Sequence, residues 1–598
     1  MRHETAKFRH GKIRLTGLLC LWALLSPLLC AADWADAVSS SEFADCAALA
    51  RENLTAILAR RSPKEFAAPA AGPLRDASGV CLYVLQNGKL LASGDALDAD
   101  LLSAFRLAAG KAVYNRTLDA LDQSAVITAL LGKAQPVRTV DTPFYAMQPG
   151  REGYRAEFNN KSGFISPLEP VLNGWDWKRT LLELARRTLG AENTPAAELV
   201  RTVADPGFKL SVFPAAVSVS AAKGVTAARL FAGDAGKIRV DAALLKQALL
   251  GAAEWYRNNQ TPEGLFPDSV NLLGGKNAGG SEIVYTTLNV AALGELWRSL
   301  NQPESKVTGL RALDGVIIKY YLENPAGGSG YIKGTEGISL GAAAGALWAV
   351  SNLDAAAANQ ETAKVAGKLA AFMLSLHSPD GSFAPWFQPP ENREGSRVFP
   401  ALAIYALLNW KPEENAAALL ASLEKYRQEY TSAPGAQPPF YAIPWLTLAS
   451  AKVYGQTRRS AYADWVLSMN TALAGEWQKK RRIFSETRDA TADAALTALS
   501  LSEALFLQKI LSGGSGQAET IRLQLYRQTL LSALRTLCAA QVQEGPENLL
   551  LPEPGKALGA FREAPGRLRS SLREMSLSTL ALTRALQALD NSDYTSGQ

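Results

Sequence analysis

Thr261-Pro262-Glu263-Gly264-Leu265-Phe266 opens a pattern that recurs through the rest of the chain: an aromatic residue at a turn, then a loop, then a helix rich in small side chains. The unit returns at Tyr331 after Gly327-Gly328-Ser329-Gly330, at Phe383 after Ser378-Pro379-Asp380-Gly381-Ser382, at Tyr441 after Pro438-Pro439-Phe440, at Phe484 after Arg481-Arg482-Ile483, and at Phe561 after Leu558-Gly559-Ala560. Successive intervals of 65, 52, 58, 43 and 77 residues suit one helical hairpin plus loops each. Small-residue helices are expected at 281–297, 338–350, 397–410, 444–454, 490–505 and 572–586. Between them, 241–256, 363–376 and 416–430 carry apolar residues at three- and four-residue steps, as amphipathic helices do. Small side chains let helices approach closely around an axis, so the pattern predicts a ring of six hairpins, an (α/α)6 toroid with amphipathic helices outside. The turn aromatics are expected to plug the ring between hairpins.

These units resemble those of two superfamilies with that shape, the six-hairpin glycosidases and the terpenoid cyclase and prenyltransferase toroids. His377-Ser378-Pro379-Asp380-Gly381-Ser382-Phe383 is similar to the glycine-aromatic turn repeat of the second. No Asp-x-Asp-Asp motif occurs, which argues against terpene cyclisation, and His377 is the one histidine beyond position 10, which argues against a prenyltransferase zinc site. The same scarcity argues against a Ser-His-Asp triad. His377 closes a predicted helix ahead of a turn, a place where a cation meets the negative helix end.

The first residues read as an export signal spanning 1–32: basic residues Arg2, Lys7, Arg9, Lys12 and Arg14, an apolar run from Leu15 to Cys30, then small residues suited to cleavage after Ala32 or Ala37. No later segment reads as long and uncharged enough to span a membrane, so a periplasmic or secreted protein is expected. The whole chain has a formal charge of +6, from 62 basic and 56 acidic residues, and removing the signal lowers it to +2. That leaves no concentrated basic face for nucleic acid. The remaining cysteines, Cys46, Cys81 and Cys538, are too few for a disulfide framework. Buried thiols are expected, with a Cys46–Cys81 pairing as the alternative.

Ahead of the toroid, expected at 241–598, lies a predicted α+β domain at 41–220 and a small-residue linker at 221–240. A helix over 41–60 precedes Gly79–Gly94, in which Asn87-Gly88 between alternating apolar runs predicts a hairpin; a helix over 98–111 follows. Gly79–Gly94, Pro149–Phe158, Gly163–Pro170, Trp175–Ala185 and Phe208–Phe213 together resemble the AMMECR domain family. Where that family has Arg-Gly-Cys-Ile-Gly after its hairpin, this chain has Leu91-Ala92-Ser93-Gly94. The resemblance implies a fold and little chemistry.

In a toroid the loops leading into the inner helices line one mouth. Carboxylates at Asp268, Glu282, Glu336, Glu391, Glu394, Glu486, Asp489 and Asp493 fall in or beside those loops. Two carboxylates suffice for glycoside hydrolysis, and Glu282, Glu336, Glu486 and Asp489 are the candidates; helix capping is the competing role for each, above all for Asp489. Arg397, Arg488 and Arg562, with Arg393, Arg567 and Arg569, favour an anionic ligand near helix N-termini. Tyr285, Tyr331, Trp386 and Trp445 offer flat apolar faces to a sugar ring. A saccharide ligand, acidic glycans included, is thus expected, with no metal and no cofactor. A non-catalytic envelope protein that binds a glycan or partner is the rival, and an isoprenoid-binding toroid a third possibility.

Overall fold

Asn87 and Gly88 take φ values of 48° and 71°, both in the left-handed region, and so turn strand β1 (Gly79–Gln86) tightly into β2 (Lys89–Leu97). The computed structural model describes residues 37–64, 73–97, 100–114, 121, 124–137, 150–175, 177–190, 193–220, 228–230, 238–272, 283–392, 397–432, 437–484, 490–511, 517–545, 548, 550–564 and 568–595, the side chains at 40, 73, 177, 228–229, 271, 412, 414–416, 479–484, 517–520 and 595 excepted. The chain divides into two units, Met1–Ala232 with Gly545–Pro552, and Gly233–Glu544 with Glu553–Gln598.

The first unit is α+β. Helix α1 (Ser40–Leu58) starts with a capping box, in which Ser39 accepts the Glu42 N–H and the Glu42 carboxylate accepts the Ser39 N–H. Helix α2 (Leu101–Val113) begins at the N-cap Asp100. Strands β3 (Ala125–Leu131), β4 (Gln135–Val137), β5 (Glu152–Phe158), β6 (Lys161–Ile165), β7 (Lys209–Ser220) and β8 (Ala228–Leu230) complete an antiparallel sheet of order β2-β1-β3-β7-β5-β6, with β4 and β8 also pairing with β7. Residues 228–230, inside the expected linker, thus belong to the sheet. Leu54, Val80, Leu82, Val84 and Phe105 form one core, between the sheet, α1 and α2. Tyr154, Ile165, Leu184, Leu199 and Phe208 form another under α3 (Trp177–Leu189) and α4 (Ala196–Ala204).

Among the described residues, twelve long helices make the second unit. In chain order they are α5 (Ala242–Asn259), α6 (Ile283–Leu300), α7 (Pro303–Tyr320), α8 (Leu340–Asn352), α9 (Gln360–Ser375), α10 (Phe399–Trp410), α11 (Pro412–Thr431), α12 (Ile443–Thr457), α13 (Ser460–Phe484), α14 (Ala490–Leu511), α15 (Gln517–Ala540) and α16 (Leu572–Ala588). The even-numbered helices pack in sequence, α6 on α8, α8 on α10 and so on to α14 on α16, and α16 returns to α6. The odd-numbered helices lie outside them, each against an inner neighbour. This is a closed (α/α)6 ring.

Small residues set its radius. A Cβ on Gly345 of α8 would lie 2.3 Å from Thr287 Oγ1 of α6, and one on Gly294 of α6 would lie 2.5 Å from the Asn352 Cβ of α8. Substituting either glycine would push two inner helices apart. Because inner helices are surrounded, they are apolar on every side: α8 is buried along nearly its whole length. For the same reason Ala490–Leu511 is long and apolar enough to cross a membrane by length and composition, which corrects the expectation that no such segment follows the leader; most of it is buried inside the ring.

The repeat is visible in the turns. Thr261 N–H donates to Leu265 O at 2.7 Å and Gly264 N–H to Thr261 O at 2.9 Å; Ser378 N–H donates to Ser382 O at 2.8 Å and Gly381 N–H to Ser378 O at 2.9 Å. Gly264 and Gly381 sit at φ +88° and +85°, where a side chain would be strained. The aromatics that follow differ in their roles. Phe266 packs on Trp255 and Tyr256, Phe383 on His377, and Phe561 is fully buried. Tyr441, however, is 44% exposed, so it plugs nothing, and Phe484 ends a helix instead of marking a turn.

Candidate active site

Connections from an inner helix to the next outer one are short, as from Leu300 to Pro303, Trp410 to Pro412 and Thr457 to Ser460. Those from outer to inner run long, from Asn259 to Ile283, Tyr320 to Leu340, Ser375 to Phe399 and Ala540 to Leu572. The long loops therefore gather where the inner helices begin. They carry short strands: Ser269–Asn271 pairs with Arg569–Ser571, joining the first loop to the last, and Gly330–Gly334, Gly337–Ser339 and Trp386–Gln388 pair in series. Rigid helices below and long loops above are the setting in which binding and catalytic residues are usually placed.

Among the described residues, buried carboxylates stand in the first turns of α14 (Asp493) and α16 (Glu574), with Glu563 in the loop leading to α16. Glu574 is the third residue of α16, 2% exposed, and accepts the hydroxyl of the N-cap Ser571. Burial pushes its carboxyl up to about 7; Glu563 adds to the rise, while the Ser571 hydroxyl and Arg573 oppose it. A helix N-terminus ordinarily favours the carboxylate anion, so desolvation here outweighs the cap. Glu563 is itself buried, its carboxylate 3.2 Å from Arg569 Nε. Its backbone accepts the N–H of Thr491, the second residue of α14, at 3.2 Å, and its own N–H donates to Arg569 O. Asp493, two residues further along α14, is 5% exposed. Asn289 ties α6 to the same place: its Nδ2 donates to Leu572 O at 2.7 Å and to Tyr285 O at 2.6 Å, and its Oδ1 accepts the Tyr256 hydroxyl at 2.5 Å.

Glu336 stands in the turn between two loop strands, where its Oε1 accepts the N–H of Ile283, the first residue of α6, at 2.7 Å, and its Oε2 accepts the Thr335 hydroxyl. It caps a neighbouring inner helix. Glu282, Glu486, Asp489 and Arg488 lie outside the described residues, as do Arg393 and Arg567. Tyr285 is half-buried at the start of α6, and Tyr331 is half-buried against Phe372 and Phe387. Arg397 is exposed just ahead of α10.

Three expectations are corrected. Arg562 is buried and its guanidinium donates to Ala539 O and Ala540 O, so it caps the C-terminal end of α15. Trp386 is buried against Phe399, and Trp445 is buried edge-on to Trp348, so both fill the ring core in place of facing a sugar. Arg562 folds back on the helix before its loop, Trp386 is covered by the helix after its loop, and Trp445 lies in the first turn of α12 against α8. Glu563 and Glu574 escaped the sequence reading: Ser571-Leu572-Arg573-Glu574 has the form of a capping box, and nothing in its spacing shows that a second carboxylate is folded beside it. Asp493 was visible as a loop-side acid.

Among the described residues, no three His, Cys, Asp or Glu side chains gather closely enough to hold a metal ion. His377 Nε2 lies 2.8 Å from Ser422 Oγ, linking the end of α9 to α11. Cys46, Cys81 and Cys538 are buried and unpaired with one another.

No family model and no curated protein matches the chain. Among solved structures, the α-1,6-mannanase of Salegentibacter sp. HEL1_6 is 10% identical, with 58% of this chain and 100% of that chain covered at a TM-score of 0.41. An unsaturated glucuronyl hydrolase specific for heparin is 11% identical, with 58% and 98% covered at 0.42. An uncharacterised protein from Pyrococcus horikoshii is 21% identical, with 31% and 95% covered at 0.26.

Proposed function

We propose that the ring is a carbohydrate-active enzyme of the hydrolytic type, working at the long-loop mouth with Glu574 as proton donor. The observation that carries this is the burial of Glu574 and Asp493 in the first turns of two adjacent inner helices, which pushes the Glu574 carboxyl up to about 7. A general acid works best with a pKa close to the working pH. Glu574 protonates the glycosidic oxygen as the carbon–oxygen bond breaks; Asp493 takes a proton from the water whose oxygen bonds to the anomeric carbon. The two carboxyl groups then exchange their proton balance with solvent. Tyr285, half-buried at the start of α6, and Tyr331, half-buried in a loop strand, offer aromatic faces to a sugar. Acidic glycans are the favoured substrates, with Arg397 exposed just ahead of α10 as the described cation of this region. The protein is exported, with cleavage after Ala32 or Ala37, and the first unit is an AMMECR-like module.

Assays on panels of neutral and acidic oligosaccharides test the reading. Glu574→Gln should reduce turnover at least a hundredfold, the lower range for general-acid loss, with binding retained. Undiminished turnover in Glu574→Gln and Asp493→Asn would falsify the assignment, and glycan binding without cleavage by the wild type would favour the non-catalytic envelope protein instead. Mass spectrometry of the exported chain checks the cleavage site; retention of Met1 would exclude it.

A further inference from the structure

The short-loop end of the ring carries a polar layer to which all six inner helices contribute: Glu295, Asn352, Tyr405 with Asn409, Lys452, Glu503 and Arg584, in order from α6 to α16. Arg584 Nη2 donates to Glu295 Oε1 at 2.8 Å and to the Tyr405 hydroxyl at 2.9 Å. Asn352 Nδ2 donates to the same Glu295 oxygen at 3.1 Å, and Lys452 Nζ to Asn409 Oδ1 at 2.9 Å. Glu295, Asn352 and Tyr405 are buried, whereas Asn409, Lys452, Glu503 and Arg584 keep part of their surface exposed. The layer thus grades from a closed side to a side open to solvent.

We propose that the open side of this layer is a second binding site, taking a neutral ligand with adjacent hydroxyl groups, such as a saccharide ring or a polyol. Arg584 Nη1 and Glu503 Oε2 stand 3.9 Å apart, too far for a hydrogen bond, yet one hydroxyl can accept from the first and donate to the second. Arg584 Nε is buried with no acceptor, and so is Trp348 Nε1, one turn before Asn352 on α8 and packed on Tyr405. Buried donors without acceptors are uncommon in native proteins and call for an explanation.

Charge selects the ligand class. Glu295 and Glu503 offset Arg584 and Lys452, while six inner helices end here and present the negative ends of their dipoles. An anion meets those carbonyls and two carboxylates; a cation meets two fixed positive groups. A hydroxyl satisfies donors and acceptors together without adding charge. Burial raises the Glu503 carboxyl and lowers the Lys452 ammonium, so ligand hydroxyls that replace lost hydration favour both charged forms. Buried ion networks are frequently less stabilising than apolar packing of the same volume, so stability alone gives little reason for this layer.

Isothermal titration of the full chain with glucose, sorbitol and sodium acetate tests the proposal, with Glu574→Gln as background to prevent turnover. Glucose or sorbitol should bind, a preference for glucose indicating a saccharide site and a preference for sorbitol a polyol site. Lys452→Met and the isosteric Glu503→Gln should each weaken binding by about tenfold, the effect of losing a hydrogen bond to a charged group. The long-loop mouth is distinguished because binding there is insensitive to both. No heat from either hydroxyl ligand, affinities unchanged in both variants, or tighter binding of acetate would overturn the proposal.

Discussion

Arg584 on the last inner helix donates to Glu295 on the first at 2.8 Å, across 289 residues of chain, so one guanidinium joins the two ends of the ring. Both side chains are largely buried, at 21% and 8% exposure; burial works against the Arg584 charge, but Tyr405, Glu295 and Glu503 outweigh it and raise the Arg584 pKa further. Removing one partner leaves the other desolvated and unpaired. Arg584→Met is expected to lower stability by about 3 kcal/mol, and Arg584→Met with Glu295→Gln by clearly less. Urea unfolding of both variants measures the difference; equal losses would show that the pair is not coupled.

Glu574 predicts a pH dependence. Its folded-state pKa of about 7 lies above the ordinary 4.5. Below about pH 4.5 folded and unfolded chains both hold the proton, and the group's contribution is fully present. As pH rises towards 7 the unfolded chain releases the proton first, so stability falls, by about 3 kcal/mol once pH exceeds the folded value. Glu574→Gln cannot titrate and should match the wild type at pH 4 while exceeding it at pH 8. Denaturant melts at the two pH values check this, and a constant difference between the proteins would contradict it.

The contact between Gly345 and Thr287 sets the separation of α6 and α8. Alanine favours a helix interior over glycine by about 1 kcal/mol, yet its Cβ would meet Thr287 Oγ1 at 2.3 Å and Thr287 Cβ at 3.0 Å. Overpacking should win, with Gly345→Ala destabilising by about 1–3 kcal/mol. Adding Thr287→Ala removes the hydroxyl and should recover part of the loss. A stabilised Gly345→Ala protein would mean that the inner helices separate freely.

Burial pushes the Cys46 and Cys538 thiols up to about 12 and Cys81 well above its usual range. The reactive thiolate is therefore scarce at neutral pH. Cys46, Cys81 and Cys538 are expected to ignore Ellman's reagent in the native protein and to react fully in guanidinium chloride. Rapid labelling of the native protein would show that these sites open readily.

Much of the ring was legible in advance because its periodicity is local and repeated. Gly264-Leu265-Phe266 and Gly381-Ser382-Phe383 mark the same turn, and the helix expected at 397–410 forms as Phe399–Trp410. Asn87-Gly88 was equally readable, since few residue pairs adopt two consecutive left-handed conformations. Phe484 misled because an aromatic after basic residues resembles a turn, while α13 extends as far as Phe484 itself. Among the described site residues, Glu336 and Arg562 were legible as polar loop residues; Glu336 caps a helix of the neighbouring hairpin, and Arg562 caps the helix just before its own loop.

The sequence by itself determined the hairpin, the alternation of outer and inner helices and the number of repeats, because each depends on residues within a few turns of one another. Only the tertiary structure decided which carboxylates are desolvated together. Glu563 reaches the first turn of α14 over more than sixty positions of chain, and Arg584 reaches Glu295 only when the ring closes. A capping glutamate and a glutamate titrating near 7 have the same local sequence; what separates them is the water removed by helices distant in the chain.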